Sequence, residues 1–500
     1  MIQLRVIRAV VVTWVLSQGI QAALGQGAPA PYSDSKNPPA TPAARRAQEL
    51  LDLVNGNDPQ RISKYIAENF APGIRDEFPM EEHLGMFAQM HNSSGGFDLH
   101  GFRSYEPPRP ETAAVAVMRN RLTEAWNAIV VEVETEPPHR VTSVQFAPAR
   151  PPKDVPPAGP IKADQLASEL KAFVEKLVKA KAFSGTVLVA KEGKVLFSGA
   201  YGLASKDYDV PNKLDTKFNL GSMNKMFTAV AVAQLTEQGK VAYDDPLSKY
   251  LSTDWLPREV SDKITVEHLL THTSGLGSYF SEKFMSSSRA LYRKVDDYKP
   301  LVAEEKPQFE PGTQWAYSNT GMLLLGAVIE KASGEDYFDY VRKNIYEPAG
   351  MKNSDCYELD HVNPNLAVGY SKETGPNGQT VWTNNIFKHV LRGGPAGGGY
   401  STVEDLLRFD QAMRANKLVK AETAERIWSP KPNSPEYGYG FGLQGEPGNR
   451  IVGHSGGFPG INSVLEMHLD TGYTIAVMSN YDRGAMPVAN KINELLKRIE

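Results

Sequence analysis

Cysteine is nearly missing from this 500-residue chain. Cys356 stands alone, which excludes an intrachain disulfide framework and any cysteine-built zinc or iron–sulfur cage. An excess of charge is missing too: 54 Lys and Arg face 58 Asp and Glu, a formal net of −4, with no basic stripe of the kind that grips nucleic acid. Nor does any apolar run reach the roughly 20 residues that a membrane-spanning helix needs. What is present is 41% apolar and 22% charged residues, with 42 Gly and 35 Pro. That is the composition of a globular protein of two or three domains, and it points to an enzyme.

The N-terminus has the plan of a secretory signal peptide. Arg5 and Arg8 make a positive start, residues 9–16 are apolar apart from Thr13, and Ala23-Leu24-Gly25 puts small residues at a cleavage site before Gln26. An uncleaved anchor is the alternative, though the run is short for one. No cysteine follows the run, so lipid attachment there is excluded. Removal of residues 1–25 takes two positive charges and leaves the mature chain near −6 instead of −4, without a membrane span. The protein is expected to be exported, periplasmic or secreted.

Two stretches divide the rest. Residues 26–44 are Pro, Ala and small polar residues, predicted to be a disordered linker. Residues 148–160 hold six prolines in thirteen positions and read as a semi-rigid extended spacer. Between them, 45–147 opens with helical patterning (Leu50, Leu51, Val54, then Ile62, Tyr65, Ile66) and continues into strand-like runs at 113–118 and 128–134. This predicts a small α+β domain. Asp98, His100 and Glu106 lie close together there but read as ordinary loop composition, so the domain is expected to be a structural or substrate-guiding accessory.

The large domain, 161–500, begins with an amphipathic helix whose Leu166, Leu170, Phe173, Val174 and Leu177 share one face. Runs at 185–190 and 195–200 flank Lys191-Glu192-Gly193-Lys194, predicting an antiparallel hairpin with a four-residue loop. Near the C-terminus, 462–469 and 473–478 flank Asp470-Thr471-Gly472, and a helix over 487–499 follows. Strands at both ends and a helical middle predict one sheet built from both termini.

Four motifs carry chemistry. Ser222 and Lys225, in Gly221-Ser222-Met223-Asn224-Lys225, fall three apart at the start of an apolar helix and so share a face. A desolvated lysine can serve as base for a serine hydroxyl, and a helix N-terminus favours developing negative charge. The spacing alone is common: Ser33/Lys36 and Ser168/Lys171 repeat it. Tyr317-Ser318-Asn319 offers a phenol that a nearby ammonium would acidify, allowing it to relay a proton, and an amide that could orient a substrate amide; a loop tyrosine beside a turn asparagine is the plainer alternative. His454-Ser455-Gly456-Gly457 adjoins a strand whose small residues let a substrate backbone approach, with the Gly457 and Ser222 amides placed for an oxyanion hole; a turn histidine is the alternative. His268 and His272, in a Leu269-Leu270-Thr271-His272-Thr273-Ser274-Gly275 helix end stopped by Gly, have a zinc-compatible spacing. They lack the His-Glu-x-x-His order and a third ligand, so no metal is assigned and the role is structural. The glycine-rich stretch 393–399 lacks a P-loop's Lys-Ser/Thr and reads as a tight loop near the site.

Taken in this order, the motifs resemble the serine beta-lactamase and penicillin-binding-protein superfamily, in its class C beta-lactamase-related branch, over residues 161–500. The resemblance implies an α+β fold, an antiparallel sheet flanked by helices, with an all-helical insertion at roughly 241–396. The small domain resembles the cone-shaped fold related to nuclear transport factor 2. Carried over, the resemblance makes Ser222 the acylated nucleophile, with Lys225 and Tyr317 sharing the proton work. Asn319, His454 and Ser455 bind substrate, the amides of Ser222 and Gly457 form the oxyanion hole, and no cofactor or metal is implied. His454 departs from the lysine usual in beta-lactamases of this branch. A histidine there supplies only part of the charge that holds a substrate carboxylate, so carboxylate affinity should fall as pH rises through its pKa. The expected activity is a serine hydrolase acting through an acyl-enzyme on small amides or esters, D-amino-acid peptides or acyl esters among them. A true beta-lactamase, or a non-catalytic protein of the same fold that binds peptidoglycan or a partner, are the alternatives. The substrate would be a small molecule or peptide, with no nucleic acid, and the oligomeric state is left open.

Overall fold

The computed structural model describes residues 31–374 and 380–500; the expected leader, 1–25, lies outside them. The chain divides into two compact units, one of residues up to Pro160 with Glu373–Val381, the other of Ile161–Lys372 and Trp382–Glu500.

In the first unit, strand β1 (Tyr32–Ser35) precedes helices α1 (Pro42–Gly56), α2 (Pro59–Asn69) and α3 (Met80–Ser94). Strands β2 (Phe97–Tyr105), β3 (Ala113–Asn120), β4 (Trp126–Val133) and β5 (Val141–Pro148) then complete an antiparallel sheet in the order β1-β2-β3-β4-β5. The helices start where side chains cap them. Thr41 accepts from Ala44 N at 3.3 Å ahead of Pro42, and Asp58 accepts from Gln60 N and Arg61 N ahead of Pro59. Leu50, Leu51, Val54, Ile62 and Ile66 then bury against Ala116, Met118, Ile129 and Val131 of the sheet.

Two expectations for this unit change. The segment read as disordered to residue 44 is built in from Tyr32. It pairs along β2, and Arg103 grips Asp34 through bonds of 2.8 and 3.0 Å with both side chains almost fully buried and the guanidinium 3.9 Å from the Tyr32 ring centre. Composition misses this because one ion pair and one strand pairing suffice to order a polar segment. The proline-rich spacer also begins docked: Arg150 O accepts from Arg103 (3.0 Å), Pro151 O from Tyr32 (3.2 Å), and Asp154 meets His100 Nε2 at 2.8 Å. Asp98 and His100 therefore lie on a strand, Asp98 paired with Arg121, and not in a loop.

The second unit opens with α4 (Gln165–Lys179), whose buried residues are Leu166, Leu170, Phe173, Val174 and Leu177. Strands β6 (Gly185–Lys191) and β7 (Lys194–Tyr201) follow. Lys191 lies opposite Lys194, so the loop has two residues, not four. Glu192 and Gly193 both take positive φ (48° and 78°), the type I′ turn that matches strand twist. Helices α5 (Asn224–Glu237), α6 (Val266–Leu270), α7 (Asn319–Ser333) and α8 (Val403–Arg414) form much of the middle. The insertion is not all-helical: Tyr370–Thr374 pairs with Thr380–Asn384, a run of β-branched and aromatic residues that favours strand. Strands β8 (Gly442–Gln444), β9 (Ile451–Phe458), β10 (Ile461–His468) and β11 (Tyr473–Ser479) complete a six-stranded antiparallel sheet ordered β8-β9-β10-β11-β6-β7. The two ends of this unit meet at the β11–β6 ladder, and helix α9 (Ala485–Leu496) closes the chain.

Removing one partner of a buried ion pair strands the other charge, a loss of about 3–5 kcal/mol. Asp34→Ala is therefore expected to lower the stability of the first unit by that order in urea unfolding. A loss below about 1 kcal/mol would mean that β1 is not an integral strand.

Candidate active site

The site forms where the start of α5 meets the open end of β9. Gly221 has φ 51°, and a Cβ there would come within 2.9 Å of Gly457 N; a Cβ on Gly456 would lie 1.9 Å from Leu220 O. Only glycine permits this approach of two backbones. A short helical turn, Gly221–Met223, carries Ser222 into α5, whose first residues, Asn224 and Lys225, are completely buried.

Lys225 Nζ has three neighbours: Ser222 Oγ at 3.0 Å, Asn319 Oδ1 at 3.0 Å and Ala396 O at 2.5 Å. No carboxylate accompanies it among the described residues, and burial pushes its pKa well below the ordinary amine range. In the neutral form that this burial favours, the amine has two N–H groups and one lone pair. The two carbonyl oxygens can only accept, so they take the two hydrogens, and the lone pair is left facing the Ser222 hydroxyl. The hydroxyl is also hydrogen-bonded to the Tyr317 phenol, which burial pushes above the usual tyrosine range. With the hydroxyl hydrogen directed at Lys225, Tyr317 is the donor of that second bond. This corrects the expectation of an acidified phenol: its own burial raises it.

Asn319, at the start of α7, also takes part. Its Oδ1 accepts from Lys225 and one of its two Nδ2 hydrogens donates to Ser278 Oγ at 3.2 Å, so it helps to set the lysine as well as offering an amide to the site. The glycine-rich loop supplies Ala396 O and is tied down by Asn224, whose Oδ1 accepts from Gly399 N (3.1 Å) and whose Nδ2 donates to Gly394 O (3.3 Å).

His454 lies half-buried on β9, with Ser455 exposed beside it. Its Nδ1 faces Ser455 O at 2.5 Å, so Nδ1 carries the proton, and Nε2 accepts from the Tyr437 hydroxyl at 3.0 Å. Both bonds are those of a neutral ring. Burial pushes its pKa down to about 3. The partial positive charge expected at this position is therefore absent at neutral pH. Beyond Gly453, β9 has no β8 partner, and a Cβ on Gly457 would meet nothing within 4 Å.

Reasoning from sequence missed Ala396, Tyr437 and Ser278, which carry no motif of their own. It read the histidine pair as structural without saying what either residue does. His268 closes a capping box with Thr265, and His272, at φ 59°, turns the chain after α6 in place of a glycine. Ser168, in one of the chance repeats, donates back to Gln165 O on its own helix.

The family described as Beta-lactamase matches residues 170–497. The chain is 33% identical over 327 residues to Penicillin-binding protein 4* of Bacillus subtilis (62% of this chain, 71% of that protein). It is 30% identical over 302 residues to Esterase EstB of Burkholderia gladioli (54% and 75%). The crystal structure of a penicillin-binding protein from Bacillus halodurans superposes with TM-score 0.59 at 30% identity, covering 64% of this chain and 98% of the other.

A histidine depressed to about 3 gains its proton only far into acid. The ratio of KM values for a carboxylate-bearing ester and its neutral methyl-capped counterpart should therefore stay constant from pH 5 to 8. A KM that rises with pH for the carboxylate form alone would show that His454 is charged in that range.

Proposed function

The chain belongs to the beta-lactamase family and is a serine hydrolase, and we propose that it works through an acyl-enzyme at Ser222 on small amides or esters. One observation carries this reading: the buried Lys225 amine lies 3.0 Å from the Ser222 hydroxyl, with Asn319 Oδ1 and Ala396 O as its other two partners. As Ser222 Oγ attacks an acyl carbonyl, its proton passes to Lys225. Tyr317 donates to the leaving group as the bond breaks and recovers its proton from Lys225; water then releases the acyl group by the same route in reverse. Positioned proton transfer of this kind contributes about 10²–10⁴-fold.

The amides of Ser222 and Gly457 are proposed to hold the oxyanion, each such donor being worth roughly 10²–10³ in rate. The close approach of Gly221 to Gly457 and the open edge of β9 support that role. Neutral His454 favours substrates that need no cation opposite a carboxylate, which weighs against beta-lactam hydrolysis as the native role. Esters and D-amino-acid amides both fit, and p-nitrophenyl esters compared with D-Ala peptides would separate them. The intact contact of lysine with serine weighs against a purely binding protein. Export, the class C-related branch and a transport-factor-like small domain belong to the same proposal; no helix among the described residues is long and apolar enough to cross a membrane.

Ser222→Ala is expected to abolish turnover and covalent labelling by a fluorophosphonate, read as the loss of the mass increment on the intact protein. Labelling that persists would place the nucleophile elsewhere.

A further inference from the structure

His272 has no part in the proton transfers above, yet it is fully buried beneath the site. Its backbone and side chain grip the chain on both sides of Tyr317. Ala316 N donates to His272 O at 2.9 Å, and Ser318 N donates to His272 Nδ1 at 3.2 Å. The ring itself lies against the phenol, centre to centre 4.5 Å, and against Tyr437 on the histidine-holding side at 4.7 Å. Tyr317 is thus bracketed by two bonds and backed by one ring, all from a single residue.

Packing alone does not account for a histidine here. Because Nδ1 accepts from Ser318, the ring proton must sit on Nε2, which is buried with no hydrogen-bond partner among the described residues. An apolar ring would avoid that desolvation cost, of about 1–3 kcal/mol. The backbone, at φ 59°, accepts histidine more readily than a β-branched side chain. What the histidine supplies in return is a lone pair at Nδ1. The Ser318 amide it receives is one residue from the phenol and belongs to the cap of α7, where Ser318 Oγ accepts from Gly321 N at 2.8 Å.

We propose that His272 is a positioning residue for the acylation step, its Nδ1 acceptor holding the 316–318 segment so that the Tyr317 hydroxyl stays in bonding register with Ser222. This rests on the reading of Ser222 as nucleophile. The effect is on orientation, where a displacement of about 1 Å can cost about 100-fold. It should therefore appear in the acylation rate and not in substrate binding.

Two variants test this by pre-steady-state burst kinetics with a p-nitrophenyl ester, at a temperature where each is shown folded by circular dichroism. His272→Gly relieves the positive φ but has no acceptor. Its acylation rate is expected to fall about 10- to 100-fold, with the substrate dissociation constant, read from the concentration dependence of the burst rate, within about threefold of the native value. His272→Asn tolerates the same φ and places Oδ1 the same number of bonds from Cβ as Nδ1. It is expected to recover most of the rate despite losing the ring. A glycine variant that acylates at the native rate would overturn the proposal, as would a folded asparagine variant as slow as the glycine one. If His272→Gly does not fold, the asparagine variant decides alone: a rate near native supports the acceptor role, and a loss of 10-fold or more refutes it. Failure of the unaltered protein to acylate would instead sink the assignment of Ser222, a result distinguishable because it needs no change at residue 272.

Discussion

An amine without a counter-ion, sealed from water, is the constraint on which the rest of the site depends. Ammonium is stable in water and costly in a protein interior, so the surroundings of Lys225 favour its free amine. Those surroundings are extensive. Helix α5 is buried on nearly every side, Ala396 O and Asn319 Oδ1 accept from the amine, and among the described residues no carboxylate pairs with it. Had either carbonyl been a carboxylate, the lysine would be a salt-bridge partner and Ser222 an ordinary hydroxyl.

The same economy of charge extends across the site. Tyr317 stays a neutral donor and His454 a neutral ring with each nitrogen committed, one to Ser455 O and one to the Tyr437 hydroxyl. In this low-polarity setting the direction of each hydrogen bond follows from what each partner can donate. Charge would then develop only during reaction, at the carbonyl oxygen between the Ser222 and Gly457 amides, where preorganised dipoles are most effective. Glycines make the geometry possible, since the helix start and the strand approach too closely for any side chain between them.

Much of this was legible in the sequence, and the unread parts share a cause. The amphipathic α4, the terminal hairpins and the sheet built from both chain ends follow from local periodicity. Ser222 and Lys225 stand out by their place at a helix start, and Tyr317, Asn319 and His454 by the order of their motifs. Ala396 contributes only a carbonyl, 171 residues along the chain from the lysine it serves, and Tyr437 a hydroxyl from an unremarkable Tyr-Gly run. Protonation states were misread for a related reason: the phenol was judged by a nearby ammonium and the imidazole by its ordinary pKa, whereas burial by distant elements decides them. The docked N-terminal strand escaped notice because composition cannot register a single Asp34–Arg103 pair.

The central claim is that Lys225 rests as a free amine. Carbon-13 NMR of the lysine side chains, with the Lys225 Cε signal assigned by its loss in Lys225→Met, measures this directly. The account predicts neutral-amine shifts at pH 7 that change only on acidification. A Lys225 signal that titrates near the ordinary lysine value of about 10.4 would contradict it.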